Sequence, residues 1–250
     1  IAEYILVFNK EIFKNKNTTK EKRNNSDFKD ATIVFVADMF TDEYVGGAEL
    51  TTKAIASSSP YDIYFIKSSE VNEKYIIDGV DKTWVFFNCA HLNFNLLPNI
   101  IGNLYYFVVE YDYKFCKYRS IELHKKNLGT DCDCHTNIHG KVISTLFAGA
   151  EHIFWMSHSQ KNIYQERFDF LSDDKSTVLS SIFEVCDLEY IENLSKSREK
   201  NNGKFAVINS NSWIKGVKDT CDYLKNNNID FDLIGNLSYS DLLRKLSEYK

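Results

Sequence analysis

The chain has 250 residues, of which 44% are hydrophobic and 14% aromatic, and its formal net charge is -5. This hydrophobic content excludes wholesale disorder, and the net charge argues against nucleic acid as the main partner. Because neither an apolar stretch of about 18 residues nor a signal peptide is visible, we expect a soluble, cytoplasmic protein.

The first 30 residues form a segment of their own. Residues 1–13 place apolar side chains near one helical face, which predicts a helix. Residues 14–30 are basic and polar, as is typical of a solvated linker. Acidic residues within the linker dilute its positive charge, so at most a peripheral contact with anionic lipid headgroups is expected.

The stretch from Ala31 to Ser57 predicts a strand, a loop and a helix. Residues 32–37 are apolar and β-branched, and a helical pattern over residues 48–56 follows the pair Gly46-Gly47. Free amides at the helix N-terminus and the absence of a Cβ would let a phosphate approach the backbone. The same pair is also typical of a tight turn into a helix in any α/β protein, and both interpretations stay open.

The alternation of predicted strands and helices then continues to about residue 181. Apolar runs predict further strands at residues 61–67, 84–88, 104–109, 153–156 and 177–179, and helical patterns lie at 93–101, 119–126, 138–148 and 159–168. Such alternation indicates a Rossmann-like, mostly parallel sheet with helices on both faces. Ligands bind beyond the carboxyl ends of the strands in these folds.

Three strand ends carry polar candidates. Asp38 precedes the glycine loop, and His91 follows the run at 84–88, where a lone histidine is more often a hydrogen-bonded loop residue. Glu110 and Asp112 end the run at 104–109 and would share one face of a continued strand. They could bind sugar hydroxyls or accept a proton. Ion pairs with Lys114, Lys117 or Arg119 are the alternative.

The six cysteines are scattered, so we expect reduced thiols. Cys132, Cys134, His135 and His139 form the one cluster of metal-ligand type. They could close a tetrahedral zinc site, with Cys116 and His124 as additional candidate ligands. Because the C-x-C-H pattern has low specificity, reduced thiols and surface histidines remain the preferred interpretation, and no metal is assigned.

A second α/β unit begins after the polar triplet at 201–203. A strand at 204–208, a loop ending in Lys215-Gly216, a helix at 216–224, a strand at 229–234 and a helix at 239–249 are predicted. We therefore divide the chain into an N-terminal segment (1–30), a Rossmann-like domain (31–202) and the beginning of a second Rossmann-like domain (203–250).

Two short motifs carry a family resemblance. Val45-Gly46-Gly47-Ala48-Glu49 resembles the glycine loop of GT-B fold glycosyltransferases, notably the retaining enzymes of family 4, and Lys215-Gly216 resembles the start of their donor domain. The resemblance implies that Gly46, Gly47 and Lys215 bind the diphosphate of a nucleotide-sugar donor. Where the family often has a His-Asp pair, this chain has Tyr111-Asp112, and Asn209-Ser210 replaces an expected glycine-arginine pair.

The resemblance also implies an activity. A hexose would pass from a nucleotide-diphosphate sugar to a glycan or lipid-linked acceptor, with Asp112 and Glu110 as catalytic candidates, His91 on the acceptor side and no required metal or other cofactor. The family's donor-domain glutamates have no counterpart before Lys250, so this chain alone is expected to be a fragment that is incomplete for catalysis. The alternative is a non-catalytic Rossmann-like binding module, stabilised by zinc at the cysteine and histidine cluster.

Overall fold

A computed structural model describes residues 25–196 and 202–249. The helix predicted over residues 1–13 and most of the basic linker lie outside the described residues. The chain divides into two compact units between Phe183 and Glu184. The domain boundary drawn from the sequence lies further along, at residue 202.

The first unit contains one parallel sheet of six strands. The strands are β1 (Ile33–Ala37), β2 (Ile63–Lys67), β3 (Thr83–Phe86), β4 (Tyr105–Glu110), β5 (His152–Trp155) and β6 (Ser176–Val178), in the order β2-β1-β3-β4-β5-β6. All neighbouring pairs run parallel. The parallel α/β sheet predicted from the sequence is confirmed.

Helices connect the strands of this sheet. They are α1 (Gly47–Ser57), α2 (Glu73–Asp78), α3 (Leu97–Asn103), α4 (Ile121–Leu128), α5 (Ile138–Ala148) and α6 (His158–Gln165), with short 3-10 turns at 68–70, 94–96 and 134–136. The sequence did not predict α2. Its start is fixed by Asn72, whose side chain accepts a hydrogen bond from the Tyr75 amide.

The core lies on both faces of the sheet. Along β1, Val34 and Val36 belong to one buried cluster, whereas Phe35 and Ala37 belong to another. Because successive side chains of a strand point to opposite faces, a strand covered on both sides must be apolar throughout. Burial of each valine or phenylalanine side chain contributes about 1.5–3 kcal/mol. This burial explains the uninterrupted apolar runs of the sequence.

The second unit comprises α7 (Val185–Lys196), β7 (Phe205–Ile208), α8 (Val217–Asn226), β8 (Phe231–Ile234) and α9 (Tyr239–Leu246). β7 and β8 form a two-stranded parallel sheet. Val207, Cys221 and Leu224 are its buried core. Within the described residues of both units, no helix is long and apolar enough to cross a bilayer.

Candidate functional site

The strand order predicts a crevice at the carboxyl edge of the sheet. β1 lies between β2 and β3, so the chain passes from β1 to β2 on one side and then crosses to β3 on the other. Loops that leave neighbouring strands in opposite directions open a crevice between them, which is where ligands bind in open α/β sheets. Asp38 follows β1 here, and Asn88 and His91 follow β3.

Asp38 holds the two sides of the crevice together. Its carboxylate accepts hydrogen bonds from Ser68 Oγ (2.5 Å) and from the backbone amides of Ala90 (3.0 Å) and His91 (3.1 Å). Burial raises the pKa of Asp38, but these hydrogen bonds and the charge of Arg119 outweigh it and lower the pKa below its usual value. Asp38 is therefore a fixed anion that ties the loop after β3 to the end of β1.

Arg119 bridges three strand ends. Its Nη1 lies 3.3 Å from Asp38 Oδ2, its Nη2 donates to Asn88 Oδ1 at 2.9 Å, and its Nε lies 2.7 Å from Asp112 Oδ2. The backbone has φ of +54°, a left-handed conformation that is uncommon for arginine. The sequence suggested Arg119 only as an ion-pair partner, because nothing local shows that it reaches β1 and β3.

Asp112 and Glu110 have different environments. The Asp112 side chain is 28% exposed and pairs with Arg119, and its Oδ1 has no hydrogen-bond donor among the described residues. Glu110 is fully buried, pairs with Lys114, and accepts a hydrogen bond from Tyr164 at 2.8 Å. The two carboxylates thus do not form one accessible pair, because burial keeps Glu110 away from any substrate in the crevice.

Burial also dominates the titration of Glu110. Desolvation raises the pKa of Glu110 to about 7, although the charge and hydrogen bonds of Lys114 act in the opposite direction. Burial lowers the pKa of Lys114, but the charge of Glu110 outweighs it and raises that pKa. The pair anchors the loop after β4 to the sheet, since the Lys114 amide also donates to Glu110 at 3.1 Å.

His91 lies at the mouth of the crevice. Its side chain is 62% exposed, and Nδ1 is 3.7 Å from Asp38 Oδ1. Its amide is one of the donors to Asp38. His91 is therefore an exposed, hydrogen-bonded loop residue, and its role in binding an acceptor substrate stays a prediction.

The glycine pair stands at the start of α1. Gly46 is the N-cap and, being a glycine, has no side chain with which to cap the helix itself. A Cβ on Gly46 would lie 2.6 Å from Glu49 Oε2 and 2.7 Å from the Tyr44 ring, whereas a Cβ on Gly47 would meet no described atom within 4 Å. The protein's own packing therefore accounts for the first glycine but not for the second.

Glu49 occupies the helix end that the sequence assigned to a phosphate. Its carboxylate lies against the amides of Gly46 and of Glu49 itself; burial raises its pKa more than these hydrogen bonds lower it. A carboxylate near a helix N-terminus is favoured by the helix dipole. An incoming anion would have to displace Glu49, which sequence reasoning did not anticipate.

Lys215 belongs to the second unit. It ends a 3-10 turn at 213–215 and precedes Gly216, whose φ of +63° favours glycine and which is the N-cap of α8. The Lys215 side chain is exposed. The local arrangement of a lysine before a helix N-terminus is that predicted from the sequence.

A second group of polar side chains lies beneath the surface of the first unit. Cys116, His124, Cys132 and Cys134 are all buried, and their four candidate ligand atoms lie within 4.8 Å of one another. His124 Nδ1 is 3.7 Å from Cys116 Sγ and 3.4 Å from Cys134 Sγ. We call these four residues the thiol-imidazole cluster.

The cluster differs from the set that the sequence favoured. His139 Nε2 is 3.2 Å from the Lys114 carbonyl oxygen, and the His135 ring packs edge-on against Phe115 and Phe168. Neither histidine belongs to the group of described side chains that could share an ion. The sequence named Cys116 and His124 only as additional candidates, because only the fold brings them beside Cys132 and Cys134.

Comparison with protein-family models gave no match, and comparison with curated proteins gave none either. The function is therefore inferred from the strand ends of the first unit and from the glycine motif beside them.

Proposed function

We propose that this chain is the acceptor-side part of a retaining glycosyltransferase that moves a hexose from a nucleotide-diphosphate sugar to a glycan or lipid-linked acceptor. The observation that carries the proposal is Gly47, a glycine with no steric role in the protein's own packing. It lies at a helix N-terminus beside the point where the strand order reverses. A ligand phosphate that approaches the backbone closely would require a residue without a Cβ here.

The diphosphate would be the leaving group of the transfer. Backbone amides at a helix N-terminus stabilise a departing anion without a metal, because they are oriented before the reaction. Glu49 would swing away from the amides when the diphosphate binds. By the same resemblance, the second unit belongs to a donor domain, and Lys215 is its candidate phosphate-binding cation.

Asp112 is the carboxylate that we assign to the acceptor. Arg119 fixes one of its oxygens at 2.7 Å, and the other oxygen has no donor among the described residues. This oxygen is buried, so the Asp112 side chain would have to move before a sugar hydroxyl could donate to it. Asp112 would then orient the hydroxyl and accept its proton. Glu110 acts through the loop that it anchors, as a positioning residue.

The direct test is calorimetric titration of the purified chain with uridine, guanosine and adenosine diphosphates. The proposal expects saturable binding of at least one of them, with nucleoside monophosphate binding at least about tenfold more weakly, since the second phosphate supplies the contact with the amides. Equal affinity for the monophosphate and the diphosphate would contradict the proposal.

The alternative function is a non-catalytic Rossmann-like binding module. It is favoured by one observation, that both carboxylates predicted to be catalytic are ion-paired within the protein. Titration of the chain with acceptor sugars distinguishes the two functions. Saturable binding of a sugar that is lost in Asp112→Asn supports the transferase, whereas nucleotide binding without any sugar binding supports the binding module.

A further inference from the structure

We propose that Cys116, His124, Cys132 and Cys134 bind a structural zinc ion. The site has three sulfur ligands and one imidazole ligand, and it closes the segment between β4 and α5 into a metal-bound loop. This inference concerns the stability of the first unit and does not depend on the glycosyltransferase proposal.

The distances fit tetrahedral coordination. With zinc–sulfur bonds of about 2.3 Å and zinc–nitrogen bonds of about 2.0–2.1 Å, a regular tetrahedron places sulfur and nitrogen ligands about 3.6 Å apart. His124 Nδ1 lies 3.7 Å and 3.4 Å from the sulfurs of Cys116 and Cys134. All four ligand atoms fall within 4.8 Å, so small movements of side chains would bring them to the coordination distance.

The ligand chemistry selects the metal. Three soft thiolates with one imidazole favour zinc over calcium, magnesium or manganese, which prefer oxygen ligands. Four protein ligands complete the tetrahedron and leave no position for water or substrate. All four residues are buried, with Cys116 and Cys134 at 0% and 1% exposure. The site is therefore structural rather than catalytic.

Local structure brings the four residues together. Ser120 accepts a hydrogen bond from the Leu123 amide and starts α4, which carries His124. Gly129, with φ of +73°, ends α4 in the left-handed conformation, so the chain turns back towards Cys132. A short α4 between two turns thus places all four ligands within one segment.

Helix α5 holds the other side of the cluster. A Cβ on Gly140 would lie 2.1 Å from the Cys134 carbonyl oxygen and 2.7 Å from the His135 Cα. Only glycine lets α5 approach the backbone of Cys134 this closely. The position of Cys134 is thus determined by packing as well as by its own turn.

A metal at this position would cross-link a long connection. The connection from β4 to α5 has one short helix, and Arg119, three residues after Cys116, reaches Asp38, Asn88 and Asp112 from it. Zinc would fix the segment that presents Arg119 to the crevice. Loss of the metal is expected to loosen both the connection and the position of the guanidinium.

The first experiment measures metal content and coordination in the intact chain. Protein expressed with zinc in the medium and purified without chelators should contain about one zinc ion per chain by inductively coupled plasma mass spectrometry. X-ray absorption at the zinc edge should show three sulfur ligands at about 2.3 Å and one nitrogen ligand at about 2.0–2.1 Å. These measurements do not depend on whether any variant folds.

Variants then identify the ligands. The zinc affinity of Cys134→Ser and of His124→Ala, measured by chelator competition, should be at least about tenfold lower than that of the parent. The matched controls Cys89→Ser, a buried cysteine outside the cluster, and His139→Ala should bind zinc like the parent. Cobalt substitution provides a second readout, because Cys134→Ser should weaken the sulfur-to-cobalt charge-transfer absorption that three thiolates give.

Three results would overturn the proposal. The first is an absence of zinc in the purified chain together with a failure to take up zinc or cobalt. The second is a disulfide between two of the cluster's cysteines under reducing purification, shown by thiol titration and mass spectrometry. The third is loss of zinc in His139→Ala with retention in His124→Ala, which would assign the metal to the histidine that the sequence favoured.

Discussion

At the residue scale, the crevice is organised by one cation between two carboxylates. Arg119 contacts Asp38 and Asp112, which follow different strands. The strand-end positions of both aspartates could be predicted from the sequence, because a polar residue directly after a buried apolar run is a recognisable signal. The partner could not be predicted, because Arg119 is 81 residues from Asp38 along the chain.

Asp38→Asn is expected to destabilise the first unit by about 1–3 kcal/mol at neutral pH. The two Asp38 oxygens accept hydrogen bonds from Ser68 and from the Ala90 and His91 amides, whereas the NH₂ group of an asparagine cannot accept them. The pKa of Asp38 is lowered in the folded state, so its stabilising contribution is present above the unfolded value of 3.8 and is lost as the pH falls below it. The difference between parent and variant in urea denaturation should therefore shrink on acidification.

Asp81→Asn, at an exposed position of the same unit, is the control and should unfold like the parent. A difference between parent and Asp38→Asn that stays constant down to acid pH would contradict the role given to the Asp38 carboxylate.

At the element scale, long periodic segments were predicted well and short capped ones were not. Residues 138–148 were predicted as a helix with the bounds that α5 has, because its apolar pattern repeats over several turns. Helix α2 was missed because it spans 6 residues and depends on the Asn72 cap. The thiol-imidazole cluster was recognised in part, because its ligands come from a loop, a helix and a 3-10 turn.

Gly140→Ala tests how α5 is packed. The new methyl group would overlap the Cys134 backbone, which cannot move away as a flexible side chain can, so a loss of about 1–3 kcal/mol in the free energy of unfolding is expected. Gly102→Ala is the matched control in α3, where a Cβ would meet no described atom within 4 Å.

The control should be neutral or stabilised by up to about 1 kcal/mol, because alanine is the better helix former. Equal stability of the two variants in thermal and urea unfolding would show that the close contact between α5 and Cys134 is absent in solution.

At the scale of the whole molecule, the sequence predicted a parallel α/β sheet but not its strand order. The strand order depends on how connections of many residues pack against the sheet. The apolar pattern of a single strand does not show which strands will be its neighbours. The order β2-β1-β3-β4-β5-β6 places the glycine loop after β1 and the residues after β3 at the point where the strand order reverses, which is where ligands bind in open α/β sheets. The fold therefore gives the glycine motif a location that the motif alone could not provide.

The central claim is that this crevice binds a nucleoside diphosphate through the amides beside Gly47. The measurement that tests it most directly is calorimetric titration of Gly47→Val and Gly102→Val with the diphosphate that binds the parent best. Both positions have open space for a side chain, so both variants should fold. The account predicts at least about tenfold weaker binding for Gly47→Val and parental affinity for Gly102→Val. Parental affinity in Gly47→Val would contradict it.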